Sequence, residues 1–180
     1  AQIAGYPTLG DLGFTENSFE IPQIGVGDAL IENYAATRDI PGIRGTSRLG
    51  LHLRFGTISI RALALRAREL SQKYLAELIW REFYQMIIWY YPQTTKEAFR
   101  AQYRKLRWPG SAADFKKWAG AETGYPLVDA GIRELVETGF MHNRVRMVVA
   151  SFLTKHLLCD WRWGEHFFAQ HLLDFELASN

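Results

Sequence analysis

The chain has 180 residues, 48% hydrophobic, 22% charged and 14% aromatic, with a formal net charge of +2 and a pI near 8.7. That is about one domain's worth of chain, able to bury about 70% of the surface its unfolded form exposes, and the composition argues against a disordered or collagen-like polymer. The charge permits a nucleic-acid partner without requiring one, because a local basic face matters more than the total.

Residues 1–27 contain Pro7, Pro22 and no periodic apolar pattern, and read as a linker. From Asp28 the character changes to helix after helix. Asp28 can cap a short helix ending near Arg38, and IPGIRGTSRL then breaks the chain with Pro41, Gly42 and Gly45. Ser59 can cap a helix to about Leu70, with Leu63, Leu65 and Ala67 partly covered. Over 74–91, Leu75, Leu78, Ile79, Met86, Ile87 and Tyr90 recur at helical spacing until Pro92 stops them. Two shorter helices are predicted near 95–106 and 111–119. In PLVDAGIRELVETG, Pro126 suits the first turn of a helix and Gly139 the position just past its end. MHNRVRMVVASF begins another helix, to about Asp160, and a last one is predicted near 163–173. No alternating strand pattern of useful length occurs, so the predicted fold class is all-α.

The single cysteine, Cys159, cannot form an internal disulfide and sits in the apolar run HLLCDW, which suits a buried thiol in a reducing, intracellular setting. No apolar stretch approaches the roughly 20 residues needed to span a bilayer, and the N-terminus lacks a signal-peptide layout. A cytoplasmic protein without a membrane partner is the expectation. His52, His142, His156, His166 and His171 show no metal-ligand spacing, so no metal site is expected.

Glu77, Trp80, Arg81 and Tyr84 fall on one helical stripe. They read either as an exposed Glu–Arg pair beside a packed tryptophan, or as charges facing a cavity with an aromatic plane for a flat ligand or base. Asn143, Arg146 and Met147 share a face with Ala150, opposite Val145, Val148, Val149 and Phe152. A buried Arg146 needs an anionic partner. Asp174 and Glu176 are candidates, unless they form a solvated helix end. RGTSRLG at 44–50 has the amides, hydroxyls and arginines that suit a phosphate, though ordinary turns share that composition.

Taken together, GTSRLGLHLRFGTISIR, ELIWREFY, TGYPLVDAGIREL, TGFMHNRVRMVVASFLTKHLLCDWRWGE and DFELASN resemble, in order and spacing, the flavin-binding domain of the photolyase and cryptochrome family. The resemblance runs from about Tyr34 to Asn180 and is strongest to class I cyclobutane pyrimidine dimer photolyases. It implies a multi-helix domain that holds FAD in a folded, U-shaped conformation and uses blue or near-ultraviolet light to repair DNA dimers by electron transfer. By that resemblance Tyr34, Thr46, Ser47, Leu49 and Arg81 surround the FAD phosphates and ribityl chain. Arg48, Gly50 and Tyr74 join the cofactor contacts. Asn143, Arg146, Asp174, Glu176 and Asn180 surround the flavin ring, with Arg146 paired to Asp174 and Asn180 facing the central-ring nitrogen.

On the DNA side the resemblance assigns Glu77, Trp80, Asn143 and Met147 to the pocket for a flipped-out dimer. It assigns Arg38 and Arg144 to phosphate contacts, and Trp108 and Trp161 to a relay that photoreduces the flavin. Damaged DNA is the implied partner and a monomer the implied state. A blue-light sensor of the cryptochrome kind, acting through a protein partner, is the alternative. Gly50 and Leu51 stand where the family usually has Ser and often Pro, Tyr74 where Trp or Gln is common, Phe140 where Trp is common and Glu176 where Asp is frequent. The resemblance also implies that residues 1–27 link to an antenna domain carrying a second chromophore of folate or deazaflavin type, that 28–180 form the FAD-binding domain, and that a Trp-rich segment follows Asn180.

Overall fold

The structure, a computed structural model, describes residues 6–15 and 20–179. Among these residues there are nine α-helices, short 3-10 and π turns, and no strand. The chain enters through α1 (Asp28–Glu32) and α2 (Tyr34–Thr37), which break at Asn33 instead of forming the one helix predicted. The Asn33 side chain donates to the Ala29 carbonyl at 2.9 Å, the kind of local bond by which a short amide competes with the helical ladder. Asp28 is helical and does not act as the cap; Arg66 holds its carboxylate at 2.5 Å.

Next come α3 (Gly50–Phe55), α4 (Ile60–Leu70) and α5 (Gln72–Tyr90). Ser59 caps α4 as predicted, accepting from the Ala62 N–H at 3.3 Å. Ser71 caps α5 from the Tyr74 N–H, so α5 starts ahead of its apolar pattern. Pro92 follows the end of α5 and opens a 3-10 turn. Where a helix was predicted near 95–106, only the turns Pro92–Thr95 and Ala101–Tyr103 form, and neither has a buried residue. A short helix with no face to bury does not sustain itself.

The second half contains α6 (Ala112–Ala119), α7 (Pro126–Thr138), α8 (Asn143–Ser151) and α9 (Trp161–His171). Pro126 occupies the first turn of α7, and Gly139 ends it at φ +68°, which glycine adopts without steric cost. α8 stops well short of Asp160 and continues as a π turn over Phe152–His156. There the Thr154 hydroxyl donates to the Ala150 carbonyl at 3.0 Å. Asp160 caps α9, accepting from the Arg162 N–H.

Two apolar clusters hold these helices. One joins α1, α3, α4 and α5 through Ile31, Leu49, Leu63, Ala67, Tyr74 and Leu78. The other joins α6 to α9 around Trp118, whose Nε1–H donates to the Val149 carbonyl at 3.1 Å. Burying each large side chain of this kind contributes about 1.5–3 kcal/mol. Gly131 sets the approach of α7 to α8, since an added Cβ would lie 2.5 Å from Val145 Cγ1. Leu65, Ile79, Met86, Tyr90 and Val148, all placed on apolar faces by periodicity, are exposed. Helical spacing defines a stripe, and neighbouring elements decide how much of it is covered.

Candidate functional site

Several contacts that join the two clusters are polar. They converge on the segment after α9, where Asp174 and Glu176 stand two residues apart. From α5, Arg81 Nη2 donates to Glu176 Oε1 at 2.8 Å, and Gln85 Nε2 donates to the same oxygen at 2.6 Å. From α8, Arg146 Nη2 lies 2.9 Å from both oxygens of Asp174, and Arg146 Nε donates to the Met141 carbonyl at 2.7 Å. All four charged side chains are about four-fifths covered, between 17% and 21% exposed. The mostly covered Arg146 thus has its carboxylate, and Asp174 is not a solvated helix end. The Glu77–Arg81 pair does not form, because each residue is engaged elsewhere.

The loop 44–50 reaches the same seam. Arg48 adopts φ +52°, uncommon for a residue with a side chain, and its guanidinium sits 3.9 Å from the centre of the Phe140 ring. Ser47 accepts from the Tyr74 hydroxyl at 2.9 Å, and Tyr74 meets Tyr34 edge-on at 5.0 Å. Burial pushes the Tyr34 phenol up to about 12, against the opposing pull of Arg38. Burial also raises Tyr74, with the Ser47 contact opposing it. Thr46 is half-buried, whereas the Leu49 side chain is in the first core. Gly50 abuts Asp174: an added Cβ would be 2.9 Å from Oδ2. Glu134, on α7, is raised by burial, with Arg48 and Arg146 opposing.

At the rim a second set of charges alternates in sign. Arg38 Nη1 pairs closely with Glu77, Arg38 Nε lies 3.2 Å from Asp39 Oδ1, and Arg144 Nε donates to that oxygen at 2.7 Å. Trp80, one turn from Glu77, is 51% exposed and stacks on Tyr84 at 5.8 Å, with Phe83 edge-on at 5.4 Å. Met147 is exposed and 3.9 Å from Arg144 Nη1; Asn143, the first residue of α8, is exposed. Met147 borders a groove of about 280 Å³ with Val148, Ser151, Phe152 and His156. Asn180 lies outside the described residues.

Trp108 and Trp161 flank a backbone crossing. Gly110 N–H donates to the Leu158 carbonyl at 3.0 Å, and a Cβ at Gly110 would be 2.5 Å from the Leu157 oxygen. Both tryptophans are half-buried, and Arg162 lies over the Trp161 ring at 5.0 Å. Nearby Cys159 is fully buried, as its apolar context suggested.

Three contributors escaped sequence reasoning. Gln85 is one turn beyond Arg81, and helical spacing alone could have found it. Asp39 meets Arg144 across 105 residues, a juxtaposition without local signal. His142 caps α8, its Nδ1 accepting the Arg144 N–H at 3.2 Å, while its buried Nε2 has no hydrogen-bond partner. Among the described residues no cluster of His, Cys, Asp or Glu could hold a metal ion, and no helix is long and apolar enough to cross a membrane.

A family model described as the FAD binding domain of DNA photolyase matches residues 74–180. The chain belongs to that family. It is 44% identical over 156 residues to a deoxyribodipyrimidine photo-lyase of Alkalihalophilus pseudofirmus, covering 83% of this chain and 33% of the relative. A crystal structure of an archaeal photolyase from Sulfolobus tokodaii, with two FAD molecules and an implied novel light-harvesting cofactor, matches with a TM-score of 0.76 and 40% identity, over 78% of this chain and 33% of that one. A Synechocystis cryptochrome matches with a TM-score of 0.78 and 29% identity, over 96% and 41%. The chain spans about a third of the length of the curated photolyase relatives it matches.

Proposed function

We propose that this chain is the flavin-holding part of a DNA photolyase that splits cyclobutane pyrimidine dimers. The convergence of Arg81 and Arg146, from two different helices, on Glu176 and Asp174 carries the reading. Charges in a partly dry seam between two apolar cores serve a polar, planar ligand better than they serve stability, since such pairs are costly to desolvate. The donor set fits FAD: Thr46, Ser47 and Arg48 would meet its phosphates, Tyr34, Leu49, Gly50, Tyr74 and Arg81 its ribityl side, and Asn143, Arg146, Asp174, Glu176 and Asn180 its ring. When bound, FAD would supply the light-absorbing one-electron donor that dimer splitting needs.

The chain's own residues would receive the lesion. An extruded dimer costs a few kcal/mol to unstack, less than an intact pair. Trp80, exposed beside Tyr84, offers the stacking plane, with Glu77, Asn143 and Met147 around it. Arg38 and Arg144 would engage backbone phosphates, which position a duplex without reading its sequence. Trp108 and Trp161 would conduct the photoreducing electron, and the Gly110 crossing holds their segments together. Damaged DNA as partner, a monomeric state, a cytoplasmic location and an antenna chromophore complete the reading. The light-harvesting cofactor named for the archaeal structure supports that last element, and a folate or deazaflavin type is our expectation.

The likeness to the cryptochrome fold favours a second reading, light sensing through a protein partner, which uses the seam without needing Trp80 and Glu77. Flavin absorbance of the natural-length protein and light-dependent loss of dimers from irradiated DNA test the proposal. Bound FAD with dimers persisting under light would favour the sensor reading.

A further inference from the structure

Asp39 occupies an unusual position on the rim. It lies just past the end of α2, with its side chain 56% exposed, yet three guanidinium nitrogens of two arginines point at one of its oxygens. Arg144 Nε and Nη2 are each 2.7 Å from Oδ1, and Arg38 Nε is 3.2 Å from it. Arg144 holds the Asp39 carboxyl below the usual carboxylate range. An exposed carboxylate of this kind adds little to folding. Its main electrostatic effect is to fill, with one negative oxygen, the space between two guanidinium groups. A phosphate oxygen takes the same hydrogen-bond geometry from arginine. The far nitrogen of Arg38 is held by Glu77, so the clamp stays oriented when Asp39 is displaced.

We propose that Asp39 stands in for a DNA backbone phosphate between Arg38 and Arg144, and thereby limits how strongly any duplex engages that clamp. The inference rests on the DNA-repair reading of the same rim. An internal carboxylate competes equally for intact and damaged duplex, because both present the same phosphates. It therefore weakens the sequence-independent part of binding and leaves lesion extrusion at Trp80 to discriminate. Removing the charge should raise affinity for every duplex and steepen its salt dependence, since each phosphate contact contributes about 0.9 to the slope of log K against log salt.

The test is fluorescence-anisotropy binding of the natural-length protein to intact and dimer-containing duplexes across a salt series, with wild type, Asp39→Asn, Asp39→Glu and Asp39→Asn/Arg144→Ala. Asp39→Asn should bind both duplexes roughly three- to tenfold more tightly, a size set by exposed ion pairs, with a steeper salt slope. Asp39→Glu, which keeps the charge, should stay near wild type, and adding Arg144→Ala should abolish the gain. Unchanged or weaker binding by Asp39→Asn, while wild type binds dimer-containing DNA, would overturn the proposal and leave the repair reading standing. Wild-type protein that binds neither duplex would overturn both.

Discussion

Arg146 presents Nη2 to both oxygens of Asp174 at 2.9 Å, and Gly50 lies against the same side chain. This pair fastens α8 to the segment after α9. Arg81 and Glu176 fasten α5 to that segment two residues further on. The seam between the two apolar clusters is therefore held partly by charge, in the place where the flavin is proposed to lie.

Asp174→Asn should lower the unfolding free energy by about 1–3 kcal/mol, because a mostly covered guanidinium loses its counter-charge while the Met141 carbonyl contact remains. Urea unfolding gives that number. A flavin titration of the same variant should show weaker FAD binding, and wild-type values in both would remove this pair from the site.

Gly50→Ala should displace Asp174, since the new methyl would lie 2.9 Å from Oδ2 and 3.1 Å from Cβ. Overpacking of this kind costs about 1–3 kcal/mol, the lower end applying where a side chain can move aside. The variant should lose stability in the wild-type background and less in Asp174→Ala, where the carboxylate contact is gone and only the 3.1 Å contact with Cβ remains. A double-mutant cycle reads the coupling.

Trp80→Ala should weaken binding to dimer-containing DNA by about 1–3 kcal/mol, with FAD content unchanged, because its exposed ring stacks with Tyr84 outside the polar seam. Comparison of binding isotherms with flavin absorbance separates the two effects. Equal affinity of mutant and wild type would contradict the pocket assignment.

His142 predicts a pH dependence. Burial holds its pKa below the ordinary 6.5, with the Arg38 carbonyl opposing without forming a full hydrogen bond. Since Nδ1 accepts the Arg144 N–H, the neutral ring carries its proton on Nε2. The folded state binds this proton less readily than the unfolded chain. The contribution of His142 to stability is therefore complete above about pH 6.5 and is lost as pH falls through the lower folded value. Denaturant midpoints from pH 8 to pH 5 should decline more steeply for wild type than for His142→Asn, which retains a capping side chain.

Gly110→Ala should destabilise by about 1–3 kcal/mol, because the clash at 2.5 Å is with the Leu157 backbone and not with a movable side chain. The Gly110 to Leu158 hydrogen bond would open with it. Energy transfer or quenching between Trp108 and Trp161 should change alongside, and intact stability would argue that this crossing is looser than the geometry indicates.

Local chemistry was legible in the linear chain. Ser59 caps where a side-chain oxygen can reach freed N–H groups, Pro126 and Gly139 punctuate α7, and all-α character follows from repeated helical spacing without strand alternation. The demand that Arg146 find an anion followed from the cost of burying a lone charge, and Asp174 and Glu176 were candidates for it, with a solvated helix end as the alternative. The family resemblance already paired Arg146 with Asp174; only the tertiary structure gave Arg81 to Glu176 instead of Glu77, and Glu77 to Arg38. It also left Asn143 exposed, unwound the segment near 95–106 and brought Asp39 to Arg144. Side-chain spacing reports neighbours one helical turn away, whereas these pairings depend on how separate helices cross, which is settled by packing around Trp118 and Ile31 and by the polar groups the two cores leave between them.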